Sequence, residues 1–136
     1  MTPRRIVAPL LHTDAPYAYA TVAAPSDTLV FCAGACPIDE SGRVVTPDDI
    51  EAQAKLAVSN LAAVLREAGC SLSDVLQTTV YVATADHAEL VRGWEAVRGE
   101  FLGVDPPSTL VGVSVLGYSG QRIEIEAIAA ASSPSP

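Results

Sequence analysis

The sequence has few basic residues and no long apolar run. Its 136 residues include 8 Lys and Arg against 16 Asp and Glu, so the formal net charge is -8. A surface with this charge repels a phosphate backbone, and we expect no nucleic-acid partner. No apolar segment reaches the roughly 18 residues that a membrane helix needs, and no basic stretch precedes an apolar run at the N-terminus. We therefore expect a cytoplasmic protein with no membrane partner.

Cysteine and histidine are also scarce. The three cysteines, Cys32, Cys36 and Cys70, are odd in number and lack the C-x-x-C spacing of zinc and redox sites, so we interpret them as free thiols. The two histidines are isolated, and no set of histidines and carboxylates has metal-ligand spacing. The glycines form neither a phosphate-binding loop nor a dinucleotide fingerprint. We predict a protein without a metal or an organic cofactor.

The chain contains no segment that resembles a linker between two cores. We therefore expect residues 1–136 to form a single domain, with a disordered tail over about residues 131–136. A chain of this length buries enough surface to fold without metal or disulfides. Short segments that favour extended structure predict strands over residues 4–8, 19–24 and 28–34.

Two helices are predicted in the middle of the chain. Thr46 stands in a good N-cap position with Pro47 at the first helical position, and apolar residues then recur at helical spacing. Gly69 stands where a glycine cap would end this helix. Asp86 is predicted to cap the second helix, with Glu89 three residues later as in a capping box.

The remaining segments predict three more strands. Residues 75–83 are rich in β-branched residues, as a central strand should be. Residues 108–115 and 122–130 predict two final strands, joined as a hairpin by the Gly-Tyr-Ser-Gly turn between them. Two helices on one face of a mixed sheet leave the other face short of cover, and burial against further copies of the chain is the simplest solution.

Several motifs, in the right order, resemble the RidA/YjgF/UK114 family. Residues 16–17 (PY) resemble an early P-Y pair, and residues 31–39 (FCAGACPID) resemble the family motif F-x-S-G-Q-x-P-x-D. Residues 77–82 (QTTVYV) are similar to K-T-T-V-F-V, and residues 123–129 (IEIEAIA) match the closing strand of the family. The resemblance implies an α+β, chorismate-mutase-like fold, in which a mixed β-sheet carries two helices on one face. It also implies a homotrimer whose ligand clefts lie between subunits.

The resemblance implies a reaction as well, in which water hydrolyses reactive enamines or imines to ketones and ammonia. Glu124 corresponds to the water-positioning acid of the family and is the candidate catalytic residue. Tyr17 corresponds to its pocket tyrosine, and Gly34 to a glycine whose backbone lines the cleft. We hypothesise that Glu124 positions water or moves a proton at an imine, an enamine or a related carbon.

The chain departs from the family where a substrate carboxylate would bind. The signature arginine of the P-x-R-S-x-V motif corresponds to Ser108, and the following cysteine to Leu110. A charge-assisted contact contributes about 1.5 to 3 kcal/mol, so an anionic substrate should bind roughly ten to a hundred times more weakly here. We therefore expect the small-molecule ligand to be less anionic than the usual substrate of the family.

Further candidates for the substrate site follow from strand alternation. Ser108 and Leu110 share one face of their strand, as Arg122 and Glu124 share one face of the next, and we expect both faces to meet in one cleft. Arg122 could replace the lost arginine, or it could form a simple cross-strand ion pair. Cys32 could line the cleft, or it could be a buried small hydrophobe.

Three functions are compatible with these features. The first is an imine or enamine deaminase-like hydrolase, or a related acid/base enzyme, that acts on a small, less anionic metabolic intermediate in an inter-subunit cleft. The second is a noncatalytic trimer that binds a small metabolite, in which loss of the arginine marks loss of chemistry. The third, an endoribonuclease, fits poorly with the charge of -8 and the lack of a basic stripe.

Overall fold

The computed structural model describes residues 3–131. The elements, in chain order, are β1 (Arg4–Ile6), β2 (Ala20–Val22), β3 (Thr28–Phe31), α1 (Ile50–Glu67), a 3-10 turn (Leu72–Asp74), β4 (Val75–Ala83), α2 (His87–Glu100), β5 (Ser108–Val113) and β6 (Ile123–Ala131). The predicted strands and helices all occur in the predicted order. The predicted tail, apart from Ala131, lies outside the described residues. Within residues 3–131, no helix is long and apolar enough to cross a membrane.

Four strands form the main sheet, in the order β3-β6-β4-β5. Strand β6 is antiparallel to both β3 and β4, whereas β5 runs parallel to β4. The predicted hairpin of the last two strands is therefore wrong, because β4 separates β5 from β6. A glycine-rich turn marks a chain reversal but does not select the partner strand. The fully buried Ile123 and Ile125 give β6 an inner position instead.

Both helices pack on the same face of this sheet. The core between the layers includes Leu61 and Leu65 of α1, Val80 and Val82 of β4, and Ile125 of β6, each no more than 1% exposed. This arrangement confirms the predicted α+β fold with two helices on one face of a mixed sheet. Within residues 3–131, no helix covers the opposite face of the sheet.

The first helix begins three residues later than predicted. Thr46 has a φ angle of 39°, and its side chain does not cap the helix. The N-cap is Asp49, whose carboxylate accepts a hydrogen bond from the amide of Ala52 (3.0 Å). A carboxylate suits the positive end of the helix dipole better than a hydroxyl does. Gly69, with a φ angle of 77°, follows the C-cap as predicted.

The second helix begins as predicted, but its third residue has another role. Asp86 is the N-cap and accepts a hydrogen bond from the amide of Ala88 (3.1 Å). Glu89, predicted to complete a capping box, instead forms an ion pair with Arg122. This pair connects α2 to the residue that precedes β6.

Candidate active site

Glu124 lies on β6, on the face turned away from the helices. Its neighbours Ile123 and Ile125 are fully buried beneath the helices, so strand alternation places Glu124 on the open face. It stands opposite Tyr81 of β4 and is partly buried. A carboxyl group in such a position needs hydrogen-bond donors to offset its lost hydration.

Two side chains donate to one oxygen of Glu124. The thiol of Cys36 donates to Oε1 (Sγ to Oε1, 3.0 Å), and Nε2 of Gln121 donates to the same atom (3.2 Å). Gln121 is itself buried and fixed, because its Oε1 accepts from the amide of Tyr118 (3.1 Å) and its Nε2 also donates to the carbonyl of Ile123 (3.0 Å). The orientation of the Glu124 carboxyl group is therefore determined by two donors on the same oxygen.

The other oxygen, Oε2, lies against the backbone of Gly34. A Cβ atom on residue 34 would be 2.5 Å from Oε2 and 2.6 Å from Cδ of Glu124, distances that a real side chain does not adopt. The loop after β3 is held beside β6 by two backbone hydrogen bonds between Ala35 and Ile125 (2.6 and 3.1 Å). A side chain at position 34 would therefore displace the carboxyl group of Glu124 from its observed position.

The environment of Cys36 keeps its thiol protonated. Burial, the hydrogen bond to Glu124 and the negative charge of Glu124 together raise the pKa of Cys36 to about 11, although a hydrogen bond with Gln121 lowers it. The thiol therefore carries its hydrogen at neutral pH and acts as a donor to Glu124. It is a poor nucleophile, since thiol reactivity depends on the thiolate.

A groove of about 970 Å³ opens beside this cluster, between α1 and the loop after β3. Gly34 and Cys36 line it together with apolar side chains, among them Val64 of α1 and Tyr118, which are 52% and 45% exposed. Asn60 of α1 also lines the groove, and its Nδ2 donates to the carbonyl of Cys36 (2.8 Å). The groove thus offers an apolar wall beside the Glu124 cluster, and the carboxyl groups of Asp39 and Glu40 also line it.

A second cluster, formed by Tyr17, Trp94 and Ser108, lies beside β5. The Tyr17 ring stands edge-on to Trp94, with ring centroids 6.5 Å apart. Oγ of Ser108 accepts hydrogen bonds from Nε1 of Trp94 (3.3 Å) and from Oγ1 of Thr78 (2.8 Å). Because these bonds use both lone pairs of the hydroxyl group, its own hydrogen is free to serve as a donor. A cavity of about 20 Å³ beside Ser108 has room for one water molecule.

The other predicted site residues contact the helix side of the molecule. Leu110 and Cys32 pack against the hydrophobic core, and burial raises the pKa of the Cys32 thiol. Arg122 pairs with Glu89 of α2, and its Nε donates to the carbonyl of Ala83 (3.1 Å). All three cysteines are free thiols, as predicted.

The two predicted sets of site residues do not meet within one chain. Leu110 pairs with Val80, which faces the helices, whereas Glu124 pairs with Tyr81 on the other face. Ser108 lies on the same side as Leu110. Within a single chain, the two sets of residues do not form the expected shared cleft. Their strands pair with β4 in registers that place the two sets on opposite faces of the sheet.

Two residues of the Glu124 cluster are not among the predicted site residues. Cys36 is predicted only as a free thiol, and Gln121 carries no prediction. A polar residue directly before a closing strand is the one available indication of Gln121, whereas the contact of Cys36 with Glu124 joins residues 88 positions apart. Among residues 3–131, no group of three or more His, Cys, Asp or Glu side chains could hold a metal ion.

This chain is similar to several known proteins. The protein DfrA of Myxococcus xanthus is 31% identical over 132 residues, which cover 93% of this chain and 98% of DfrA. A 2-iminobutanoate/2-iminopropanoate deaminase of Rattus norvegicus is 34% identical over 103 residues, which cover 76% of this chain and 73% of that enzyme.

The fold has a counterpart in a crystal structure. YyfB of Yersinia pestis, described as a protein of unknown function of the conserved Rid family, superposes with a TM-score of 0.85 at 28% sequence identity, covering 96% of this chain and 99% of YyfB. The family model described as Endoribonuclease L-PSP matches residues 10–131. The chain therefore belongs to the Endoribonuclease L-PSP family, which is the RidA/YjgF family that its sequence motifs resemble.

Proposed function

We propose that this protein is an imine deaminase-like hydrolase in which Glu124 positions the attacking water. Relatives named as imine deaminases, among them the rat protein at 34% identity, support this class of reaction. The proposal rests on the fixed position of the Glu124 carboxyl group. Its Oε1 is held by Cys36 and Gln121, and its Oε2 lies against the backbone of Gly34.

The proposed reaction needs one group that accepts and returns a proton. Water adds to the carbon of the C=N bond while Oε2 of Glu124 takes one of its protons and passes it to the nitrogen, and a carbinolamine forms. The carboxylate then takes the proton of the new hydroxyl group and delivers it to the amino group as the C–N bond breaks, and a ketone and ammonia leave. Imine and water are thus converted to ketone and ammonia without a further reactant. A positioned acid/base group typically contributes about 10²- to 10⁴-fold to such a step.

We further propose a substrate that is less anionic than 2-iminopropanoate. Ser108 stands where the family motif has arginine, and its hydroxyl group offers a neutral donor. A neutral hydrogen bond contributes roughly 0.5 to 1.5 kcal/mol, against about 1.5 to 3 kcal/mol for one to a charged group. The apolar wall of the groove favours a substrate with an apolar body.

The complete site, in this proposal, is formed by neighbouring subunits of a homotrimer. The Ser108 cluster of one subunit would face the Glu124 cluster of the next, and this arrangement would bring together two clusters that lie apart within one chain. The open sheet face supports such assembly, because Leu29 and Phe31 of β3 are 47% and 71% exposed there. Large apolar side chains on a sheet face are typical of a buried interface.

A noncatalytic metabolite-binding protein is the alternative, and the loss of the family arginine favours it. An endoribonuclease ranks last, although the family model carries that description. A net charge of -8 opposes binding to an RNA backbone. The two leading functions differ in one measurable respect, because a binder shows a ligand-induced thermal shift without turnover.

The substitution Glu124→Gln tests the proposed role. Imines generated in situ, by an amino acid oxidase from amino acids and by an amine oxidase from primary amines that lack a carboxylate, would be followed by their decay and by ammonia release. We expect Glu124→Gln to lower kcat by at least about 100-fold, since the amide cannot accept the proton. The control is Glu126→Gln, because Glu126 lies two residues along the same face and accepts a hydrogen bond from Tyr81 (2.6 Å) instead.

Two results would contradict the proposal. Unchanged turnover in Glu124→Gln would remove Glu124 from the reaction. Thermal shifts with the substrate analogues, without ammonia release by the wild-type protein, would establish the binding function instead.

A further inference from the structure

We propose that Cys36 is a positioning residue, whose S–H group holds Oε1 of Glu124 and thereby leaves Oε2 as the oxygen that meets water. This inference rests on the proposed function and deepens it. Cys36 occupies a variable position of the F-x-S-G-Q-x-P-x-D motif, so the resemblance assigns it no role.

The thiol of Cys36 lies between two oxygen atoms. Sγ of Cys36 lies 3.0 Å from Oε1 of Glu124 and 3.4 Å from the carbonyl oxygen of Gly34. The backbone of Cys36 is held by Asn60, whose Nδ2 donates to its carbonyl (2.8 Å), while Ala35 is paired with Ile125. The thiol therefore has a defined position relative to the carboxyl group.

The surroundings determine that Cys36 donates and does not attack. Glu124, on β6, is the charged group that acts on the thiol, and the residues of α1 that line the groove are uncharged. Asp39 and Glu40, on the same loop as Cys36, add negative charge at the groove. With a pKa of about 11, the thiol keeps its hydrogen over the whole range in which most enzymes work.

Gln121 provides a second donor to Oε1 of Glu124, beside Cys36. Both Sγ of Cys36 and Nε2 of Gln121 bind Oε1 of Glu124, so rotation of the carboxyl group would break two hydrogen bonds. A carboxylate held in this way presents the same oxygen in every turnover. Such positioning supports kcat more than substrate binding.

The pairing of Cys36 with Glu124 can be measured without turnover. Iodoacetamide alkylation of the native protein, quantified at Cys36 by peptide mass spectrometry between about pH 7 and pH 10, reports the thiolate fraction. We expect Glu124→Gln to raise the alkylation rate at Cys36 at least about threefold near pH 8, because removal of the negative charge lowers the pKa of the thiol. Glu126→Gln should leave this rate unchanged. Equal alkylation rates at Cys36 in the wild-type protein and Glu124→Gln throughout this pH range would overturn the inference, even if Glu124 proves catalytic.

The positioning role has a kinetic test of its own. We expect Cys36→Ala to lower kcat about fivefold with little change in KM, and Cys36→Ser, which restores a donor of similar size, to recover most of the loss. If Cys36→Ala and Cys36→Ser have the same kcat, or if only KM changes, Cys36 merely lines the groove and the inference is wrong. If the wild-type protein has no turnover, the alkylation experiment alone decides whether the thiol and the carboxyl group are paired.

Discussion

At the scale of single residues, Ser108 is the main chemical difference between this chain and its family motif. The hydroxyl group is held by Trp94 and Thr78, and it retains one hydrogen to donate. It provides no positive charge, and Arg122, the other candidate for that role, is paired with Glu89. The charge that would balance a substrate carboxylate is therefore missing from both predicted positions.

The substitution Ser108→Arg should restore a preference for anionic imines. We expect the ratio of kcat/KM for 2-iminopropanoate to that for an uncharged imine to rise about tenfold or more, because a charge-assisted contact replaces a neutral one. The matched control is Ser108→Gln, which adds a long polar side chain at the same position without the positive charge. An unchanged ratio in Ser108→Arg would show that substrate charge is not selected at this position.

At the scale of secondary-structure elements, local sequence was sufficient for the helices and insufficient for the sheet. Asp86 and Gly69 were identified correctly because caps depend on a few adjacent residues. The same local pattern misplaced the first cap at Thr46, since two good capping residues lie three positions apart and the structure uses Asp49. The hairpin failed for another reason, because the pairing of β6 with β4 depends on burial across the whole sheet.

The site residues also differ in whether local sequence identifies them. Glu124 and Gly34 stand in motifs that the sequence displays, and the structure brings them into contact. Cys36 and Gln121 join them only through side-chain geometry, which no motif indicates. The separation of Ser108 from Glu124 by the plane of the sheet follows from the pairing register with β4, in which Leu110 pairs with Val80 and Glu124 with Tyr81, and local sequence does not determine that register.

A substitution at each of the two candidate caps checks the observed start of α1. We expect Asp49→Ala to lower the free energy of unfolding by about 1 kcal/mol, since the hydrogen bond to the amide of Ala52 is lost. Thr46→Ala should change it by less than about 0.5 kcal/mol, because the Thr46 side chain caps nothing. Urea unfolding of both variants at equal protein concentration measures the difference. A larger loss of stability in Thr46→Ala than in Asp49→Ala would show that Thr46 is the N-cap, as predicted.

At the scale of the whole molecule, assembly and chemistry are coupled in the proposed function. The helices cover one face of the sheet, and Phe31, 71% exposed, lies on the face that they leave open. The Ser108 and Glu124 clusters can share a substrate only if a second copy supplies one of them. A variant that does not assemble should therefore lose turnover even though each chain keeps its fold.

The substitution Phe31→Glu tests this coupling. We expect the wild-type protein to sediment as a trimer and Phe31→Glu to shift towards monomer, because a charge buried in an apolar interface is strongly unfavourable. Turnover should fall together with the trimer fraction. Leu102→Glu is the control, since Leu102 is 86% exposed and follows α2. A wild-type protein that sediments as a monomer and still hydrolyses imines would refute the proposed trimeric site.

The inner position of β6 also affects how the protein is made. Strands β3 and β4 share no hydrogen bonds, since β6 lies between them and pairs with both. During translation, neither strand has this partner until the ribosome has added Ile123–Ala131. From the completion of β4 until β6 emerges, both strands thus lack this partner, and we expect the nascent polypeptide to depend on chaperones over that interval.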